Sequence, residues 1–251
     1  MRKFLTTAAF LTFAISSASA ADLAPQYTKA PPILTPVWSW TGFYVGGHVG
    51  GGWSDGSARI TPTGLGGIDT AVLGQNGSGV VGGGQIGYNW QFAPNWVLGI
   101  EGDVSGTGIR KTTVAPITAA GVPIGIGFNH IAERDISWLA TVRGRFGYAS
   151  DRWLVYATGG GAWGEANYTA GPSWVGVFNP ATFSGTKSGW TVGGGVEYAV
   201  TNNWTVRAEY LYYDLSGTTF VNNGPAPGLS ATTVWDHTRI NVVRGAVNYK
   251  F

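Results

Sequence analysis

The side chains in this sequence that could do chemistry are charged residues placed two apart. Glu101 and Asp103 form one such pair, and Arg143 and Arg145 form another. Residues two apart face the same side of a β-strand, so each pair would project from a single face. Paired carboxylates are compatible with acid–base catalysis, but the nearby arginines also make them candidates for ion pairs.

Further charged residues occupy equivalent alternate positions later in the chain: Glu197, Arg207, Glu209, Arg244 and Lys250. If all of these face an enclosed interior, each unpaired charge costs several kcal/mol through desolvation. We therefore expect a salt-bridged polar interior, in which Glu101 and Asp103 pair with Arg143 and Arg145 on the adjacent strand. The alternative is a proton or ion path, because interior charges in membrane proteins mark either pairs or pathways.

Two other patterns resemble sites but lack the context that their chemistry needs. Gly82 to Gly87 fits G-x-G-x-x-G, yet a strand-like segment follows it instead of the helix that a dinucleotide requires. Of the three histidines, His48 is expected to face the interior, while His130 and His237 fall near an outer rim. Asp236 and His237 with a loop serine would resemble a hydrolase site, but no serine has a nucleophile motif. The sequence predicts no enzyme activity, cofactor or metal site.

The elements that carry these residues are strands. Period-two segments alternate with three short turns, 93–95, 150–152 and 201–203, and with four long loops near 55–78, 106–133, 165–185 and 215–235. Short turns at one end and long loops at the other are typical of bacterial outer-membrane barrels. The sequence predicts an all-β fold, an eight-stranded antiparallel transmembrane up-and-down β-barrel, with strands near 41–54, 79–92, 96–105, 134–149, 153–164, 186–200, 204–214 and 236–251.

Aromatic residues follow the spacing that two membrane interfaces would impose. An apolar band about 25 Å tall takes roughly ten residues of a tilted strand. Phe43 and Trp53 are ten residues apart, as are Trp153 and Trp163. The predicted aromatic girdles contain Phe43, Trp53, Trp96, Trp138, Tyr148, Trp153, Trp163, Trp190, Tyr198 and Trp204.

The last segment, 236–251, alternates an apolar face with a polar one and ends on Phe251. An apolar strand at a terminus invites edge pairing in water, whereas a closed barrel in lipid requires such a strand. We expect Phe251 and Tyr249 to act as the signal that the barrel assembly machinery recognises.

The start of the chain and the composition agree with this location. Residues 1–20 have a basic start, an apolar run and a small-residue cleavage site, which predicts a signal peptide. Residues 21–40, with four prolines, are expected to be a periplasmic linker, leaving 41–251 for the barrel. Without Arg2 and Lys3, the 15 basic residues fall to 13 and equal the 13 acidic ones, which argues against nucleic acid as a partner. With no cysteine, disulfides and thiolate metal sites are excluded.

Three segments carry a family resemblance: 39–47 (SWTGFYVGG), 156–160 (YATGG) and the ending 248–251 (NYKF). The sequence resembles the alphaproteobacterial outer-membrane immunogenic, or porin-like, protein family. That resemblance implies an OmpA-like barrel in the outer membrane of a Gram-negative bacterium, contributing to envelope integrity and acting as a surface antigen. Some relatives are associated with haemin binding, for which no residue motif is carried over.

Three functions remain open at this point. The first is a structural barrel that contacts outer-membrane lipid and lipopolysaccharide. The second is a small porin-like channel, although eight strands leave an interior that side chains can fill. The third is a ligand-binding or adhesive surface module for a host or small-molecule ligand, carried by the 106–133 and 215–235 loops. Ile117, Val122, Ile124, Ile126 and Phe128 are expected to extend two strands as a hairpin rather than to form a binding loop.

Overall fold

The computed structural model describes residues 38–64, 66–173, 180–223 and 227–251. The predicted signal peptide, 1–20, and most of the predicted linker, 21–40, lie outside these residues. Among the described residues, no helix is long and apolar enough to cross a membrane.

Within the described ranges the chain forms strands throughout. They are β1 (Gly42–Asp55), β2 (Ser57–Thr63), β3 (Ala71–Gly74), β4 (Gly77–Ala93), β5 (Trp96–Pro116), β6 (Thr118–Ala119), β7 (Val122–Pro123), β8 (Asn129–Ser150), β9 (Trp153–Ser173), β10 (Ala181–Ala199), β11 (Trp204–Leu215), β12 (Thr218–Asn223), β13 (Ser230–Trp235) and β14 (Thr238–Lys250).

Eight of these strands close into a barrel in the order β1-β14-β11-β10-β9-β8-β5-β4. Every neighbouring pair is antiparallel, and β14 closes the ring by pairing with β1 from Lys250 opposite Tyr44 to Arg239 opposite Asp55. The predicted eight-stranded antiparallel barrel is confirmed. Alternation explains it, because successive residues of each strand face the lumen and the outer wall in turn, and the outward ones are mostly apolar.

The three predicted turns connect β4 to β5, β8 to β9 and β10 to β11 at one end of the barrel. Asp151 has a positive φ of 49°, which an aspartate tolerates in a tight turn. Ala149 N donates to Asn95 O at 2.7 Å, and Lys250 N donates to Asn203 O at 2.7 Å, so backbone hydrogen bonds join these turns to adjacent strands.

The strands reach further into the long loops than their predicted boundaries, as the expected hairpin extension between 106 and 133 implies. β5 runs eleven residues beyond the predicted end at 105, to Pro116, and β8 starts at Asn129 rather than near 134. The pairing between them continues to Pro116 opposite Asn129. Ile, Val and Thr in these segments favour strands, so the wall continues past the membrane band. Register shifts at Gly106/Ile109 and at Ile136/Trp138 mark where the extension begins.

The expected hairpin of apolar residues between β5 and β8 is only partly present. Ile117 is buried, and its N–H donates to Phe128 O at 2.9 Å, but the chain then forms a short β6–β7 hairpin instead of extending the wall. Val122 and Ile126 are exposed on this tip.

Two long loops fold together over the outer end. β2 and β3 from one loop and β12 and β13 from another form a four-stranded sheet in the order β12-β13-β2-β3. Its inner face packs on the outer lumen through apolar side chains, and the Tyr168 and Trp235 rings lie 4.7 Å apart. We call this sheet and the apolar cluster beneath it the outer cap. It includes Ala58, Ile60, Leu73, Ile136, Leu139, Tyr168, Leu211, Tyr213 and Trp235.

Candidate functional site

The predicted inward-facing charges lie together in the middle of the barrel. Four carboxylates and four arginines, each at most 5% exposed, fill the lumen below the outer cap. We call this group the ion-pair core: Glu101, Asp103, Glu197, Glu209, Arg143, Arg145, Arg207 and Arg244. Formal charges balance, four against four, which is what a buried charged cluster needs to offset desolvation.

Glu101 of β5 contacts arginines from two different strands. Its Oε1 accepts from Arg143 Nη2 on the adjacent β8, and its Oε2 accepts from Arg207 Nη1 on β11. Arg145 of β8 approaches the same Oε2 at 3.5 Å. Because Glu101 contacts both the adjacent strand β8 and the opposite strand β11, it fixes the distance across the lumen. Loss of any one partner would leave an unpaired buried charge, which is costly.

Arg244 of β14 makes a second link across the lumen. Its Nη2 lies 2.7 Å from Glu209 Oε2 on the neighbouring β11, and its Nη1 lies 3.0 Å from Asp103 Oδ1 on β5. Asp103 also accepts from Arg143 at 3.0 Å. Carboxylates and guanidinium groups therefore alternate through one continuous network.

Most of the predicted contacts within the group are present, and Arg145 has a further partner that was not predicted. The sequence paired Glu101 and Asp103 with Arg143 and Arg145, and three of these contacts are present. Arg145, however, has its shortest carboxylate contact with Glu197, at 2.7 Å. The register explains this, because Arg143 stands opposite Glu101 while Arg145 stands opposite Gly99, one step closer to the turn.

Lys250 was also expected inside, and it is not part of the ion-pair core. Its Nζ donates to the carbonyl oxygen of Ser39 and lies 4.3 Å from the centre of the Trp38 ring. Lys250 is the last residue of β14, so its long side chain reaches past the end of the lumen.

Two tyrosines belong to the network although sequence reasoning missed them. Tyr44 donates to Glu101 Oε2 at 2.6 Å and accepts from Arg145 Nη1 at 2.7 Å. Tyr156 donates to Glu209 Oε1 at 2.8 Å, and the Arg145 guanidinium lies 4.0 Å from its ring centre. Their position on the inward phase of β1 and β9 is the signal in the sequence that places them in the lumen.

Glycines give the large lumen side chains room. A Cβ at Gly87 would collide with the Tyr44 hydroxyl, and a Cβ at Gly195 would lie 2.7 Å from the Tyr156 hydroxyl. Gly87 is the last glycine of the G-x-G-x-x-G pattern, which lies within β4. The pattern therefore accommodates packing inside the barrel and not a dinucleotide phosphate.

His48 faces the lumen, as predicted. Its Nδ1 lies 2.7 Å from Gln85 Oε1, and its Nε2 lies 2.8 Å from Ser105 Oγ and 3.2 Å from Arg244 Nη1. An arginine can only donate, so in a hydrogen bond between these two groups His48 Nε2 is the acceptor.

The hydrolase-like constellation near Asp236 is not assembled. Ser57 Oγ donates to Asp236, whereas His237 Nδ1 lies 2.7 Å from Asp214 Oδ1. Serine and histidine therefore sit in two separate hydrogen-bonded pairs. In the part of the chain that the structure describes, no group of histidine and acidic side chains is arranged to hold a metal ion.

The residues assigned to the aromatic girdles lie on the outer wall. Eight of the ten are 40–62% exposed, and Trp138 and Tyr198 are partly covered by neighbours. Several stack in pairs across strands: Trp153 with Tyr198 at 4.6 Å, and Trp96 with Tyr148 at 5.4 Å. At the chain end, Phe251 is 73% exposed and its ring lies 5.2 Å from Tyr249.

A closed antiparallel barrel with an apolar outer wall and a charged lumen defines the class of integral outer-membrane β-barrel proteins. The family model for the outer membrane protein beta-barrel domain matches residues 6–251. The chain belongs to this family.

Its relatives carry matching descriptions. The chain is 35% identical to the 31 kDa outer-membrane immunogenic protein of Brucella melitensis over 246 residues, 94% of each chain. It is 34% identical to the 22 kDa outer membrane protein of Rhizobium leguminosarum, over 72% of this chain and 67% of that one. Among solved structures it resembles the outer membrane protein OprG of Pseudomonas aeruginosa, with 13% identity, coverage of 85% and 98%, and a TM-score of 0.45.

Proposed function

We propose that this protein is a structural outer-membrane barrel with a closed lumen, which contributes to envelope integrity and exposes its outer loops at the cell surface. The observation that carries the proposal is the placement of Glu101, whose two oxygens contact one guanidinium group from the adjacent strand β8 and one from β11 across the lumen. Opening an aqueous path there requires Glu101 on β5 to separate from Arg143 on β8 and from Arg207 on β11.

The layers above and below the ion-pair core support the same function. The outer cap covers the outer end with apolar side chains, among them Ile60, Leu73 and Trp235, each at most 2% exposed. At the turn end, Trp40 is 1% exposed and packs beside Tyr156. A solute would have to pass an apolar layer, a paired charged layer and an aromatic layer in turn.

The outer-membrane location implies a surface-exposed face, membrane partners and a signal peptide. The immunogenic relatives in Brucella support exposure of the loops as a surface antigen. The partners are outer-membrane lipid and lipopolysaccharide at the apolar wall, and the barrel assembly machinery, which would recognise Phe251 and Tyr249. Residues 1–20 would be removed as a signal peptide. No enzymatic role is proposed, because Ser57 and His237 are not bonded to each other.

Solute entry into proteoliposomes tests this function. Vesicles containing the purified, refolded protein should swell no faster in small sugars or salts than protein-free vesicles. A matched variant, Glu165→Gln, changes an outward carboxylate that accepts from Trp138 and should behave like the wild type. Rapid swelling with the wild type would replace the proposal with the small porin-like channel.

A second function, a binding surface at the outer loops, is supported by the β6–β7 tip. Residues 112–132 contain no Asp, Glu, Lys or Arg, and Ile126 at the tip is fully exposed. Contiguous apolar patches mark contact surfaces, and Val122 and Ile126 would belong to such a patch on this uncharged segment. Host-cell adhesion by bacteria displaying the protein should fall when Ile126→Ser and Val122→Ser are combined. It should stay unchanged with Val72→Ser, because Val72 is also exposed but lies on β3, away from the tip. Equal adhesion by all three proteins would remove this function.

A further inference from the structure

Of the residues before β1, the structure describes 38–41, and Trp40 among them is buried. Trp40 is the last residue of the predicted periplasmic linker, 21–40, and it is 1% exposed within a cluster of barrel side chains at the turn end. The backbone N–H of Trp40 donates to Gln91 Oε1 at 2.9 Å. Trp40 belongs to a buried apolar cluster whose other members come from four barrel strands: Val97, Ala149, Leu154, Tyr156 and Ala199.

Trp38 covers Trp40 from below. The two rings meet edge to face, with centroids 5.5 Å apart. Lys250 lies over the Trp38 ring at 4.3 Å, and Arg152, from the turn between β8 and β9, lies 5.6 Å from the same ring. A cation over an indole ring is attracted by the ring quadrupole, which holds Trp38 between the two basic residues.

Lys250 also connects this segment to the seam where the barrel closes. It stands opposite Tyr44 in the β1–β14 pairing, and its Nζ donates to Ser39 O. Beside it, Phe251 N donates to Phe43 O at 3.0 Å. The first and last strands are thus held together at this end by side-chain contacts as well as by their ladder.

We propose that Trp38, Ser39 and Trp40, held by Lys250, form a seal over the periplasmic mouth of the barrel. This seal deepens the closed-lumen function proposed above and rests on it. Trp40 excludes water from the ion-pair core. Tyr156 connects the seal to the ion-pair core, because it belongs to the same buried cluster as Trp40 and donates to Glu209. Burying a tryptophan removes roughly 150–250 Å² from water, which favours the closed arrangement.

A single introduced cysteine can report on the seal, because the chain has none of its own. Thr205 is 2% exposed, faces the lumen one residue into β11 and has nearly the volume of cysteine. Its hydroxyl donates to Glu197 Oε1 at 2.5 Å, so every rate is compared with that of the Thr205→Cys protein itself. The refolded Thr205→Cys protein is exposed to a charged methanethiosulfonate reagent, and the rate of modification is measured. The seal predicts slow modification in this background.

Removing the seal should expose the reporter. Adding Trp40→Ala to Thr205→Cys should speed modification about tenfold or more, because the cysteine no longer needs a local opening to meet the reagent. Lys250→Met keeps a long side chain but removes the ammonium group that lies over Trp38. It should therefore give a smaller increase in the modification rate. Trp153→Ala removes a tryptophan at the same end that faces outward and is 53% exposed, so it should leave the rate unchanged.

Folding is checked for every variant by the heat-dependent shift in gel mobility. If Trp40→Ala fails to fold, the Lys250→Met rate decides. Unchanged rates in the folded variants, or a background already as fast as the unfolded chain, overturn the seal. If the modification rates overturn the seal but vesicles with the wild-type protein do not swell, the closed-lumen function is still supported. If vesicles with the wild-type protein swell, the closed-lumen function is contradicted whatever the modification rates are.

Discussion

Arg244 and Asp103 are joined by a 3.0 Å ion pair although they stand on strands that do not touch. In the ring, β1 and β4 lie between β14 and β5, so this contact crosses the lumen rather than following the wall. The backbone ladders fix which strands are neighbours, and side-chain contacts of this kind fix how far apart opposite walls stand. Stability and closure should therefore respond to the same residues.

Removing one central carboxylate should destabilise the barrel strongly. Glu101→Gln takes away the only ion-pair partner that the described residues provide for Arg207. The loss should be about 3 kcal/mol, the lower end of the range for a broken buried pair, since Gln still accepts a hydrogen bond. Urea unfolding of refolded protein in lipid vesicles measures it. Glu165→Gln, on the outer wall, should change the unfolding free energy by less than about 0.5 kcal/mol, and equal losses for both would contradict the account.

A charged side chain introduced on the outer wall should lower the free energy of unfolding, whereas a neighbouring charged side chain that faces the lumen is tolerated. Val206 is 42% exposed and precedes the inward Arg207 on β11. Val206→Arg should lose roughly 2–4 kcal/mol if the position lies near the middle of the bilayer. Val221→Arg, on β12 outside the barrel, serves as the control and should be close to neutral. If a refolding titration shows that both are tolerated equally, the outward assignment of Val206 is wrong.

The β6–β7 tip should loosen in acid. The Gly121 amide and the Thr118 hydroxyl donate to Asp69, and they hold the pKa of that carboxyl below its usual value. A lowered pKa in the folded state means that Asp69 stabilises the tip fully above the unfolded pKa, near pH 4, and less as pH falls through the folded pKa. Hydrogen exchange at the Gly121 amide should therefore be least protected at the lowest pH.

Asp69→Asn separates this effect from general acid unfolding. The variant should already have a less protected Gly121 amide at neutral pH, and protection should no longer change below pH 4. A wild-type tip whose protection is independent of pH would show that Asp69 does not hold it.

Deletion of Phe251 should reduce the amount of protein in the outer membrane. Phe251 is exposed at the end of β14 and stacks on Tyr249, which in turn lies 5.1 Å from Trp204. An aromatic end of this kind is available for recognition before the barrel closes. Fractionation of cells should show less barrel with the deletion and normal amounts with Phe251→Trp. Wild-type levels after deletion would exclude Phe251 as the assembly signal.

The sequence was sufficient to predict the barrel, because alternation, turn residues and aromatic spacing act locally. Period-two patterns assign the inward and outward faces of each strand, and hence the membership of the ion-pair core. The trans-lumen contacts of Arg207 and Arg244 could not be predicted, since they depend on the stagger of strands that are not neighbours.

The outer cap and the seal escaped prediction for a different reason. Segments such as Ser57–Thr63 and Ser230–Trp235 are short and lie in regions rich in Gly, Pro and Thr, so their pairing depends on tertiary contact and not on local pattern. Trp40 follows a proline-rich stretch, and nothing in its neighbourhood indicates that it turns back into the barrel.

Single-channel recording in a planar lipid bilayer tests the closed lumen most directly. Purified wild-type protein, refolded in detergent and inserted in the presence of salt, should show no steady conductance steps. The same recording on Trp40→Ala should also stay silent, because the ion-pair core closes the lumen without the seal. Reproducible, steady steps from the wild-type protein would mean that Glu101 and its arginines line a path, and would contradict the account.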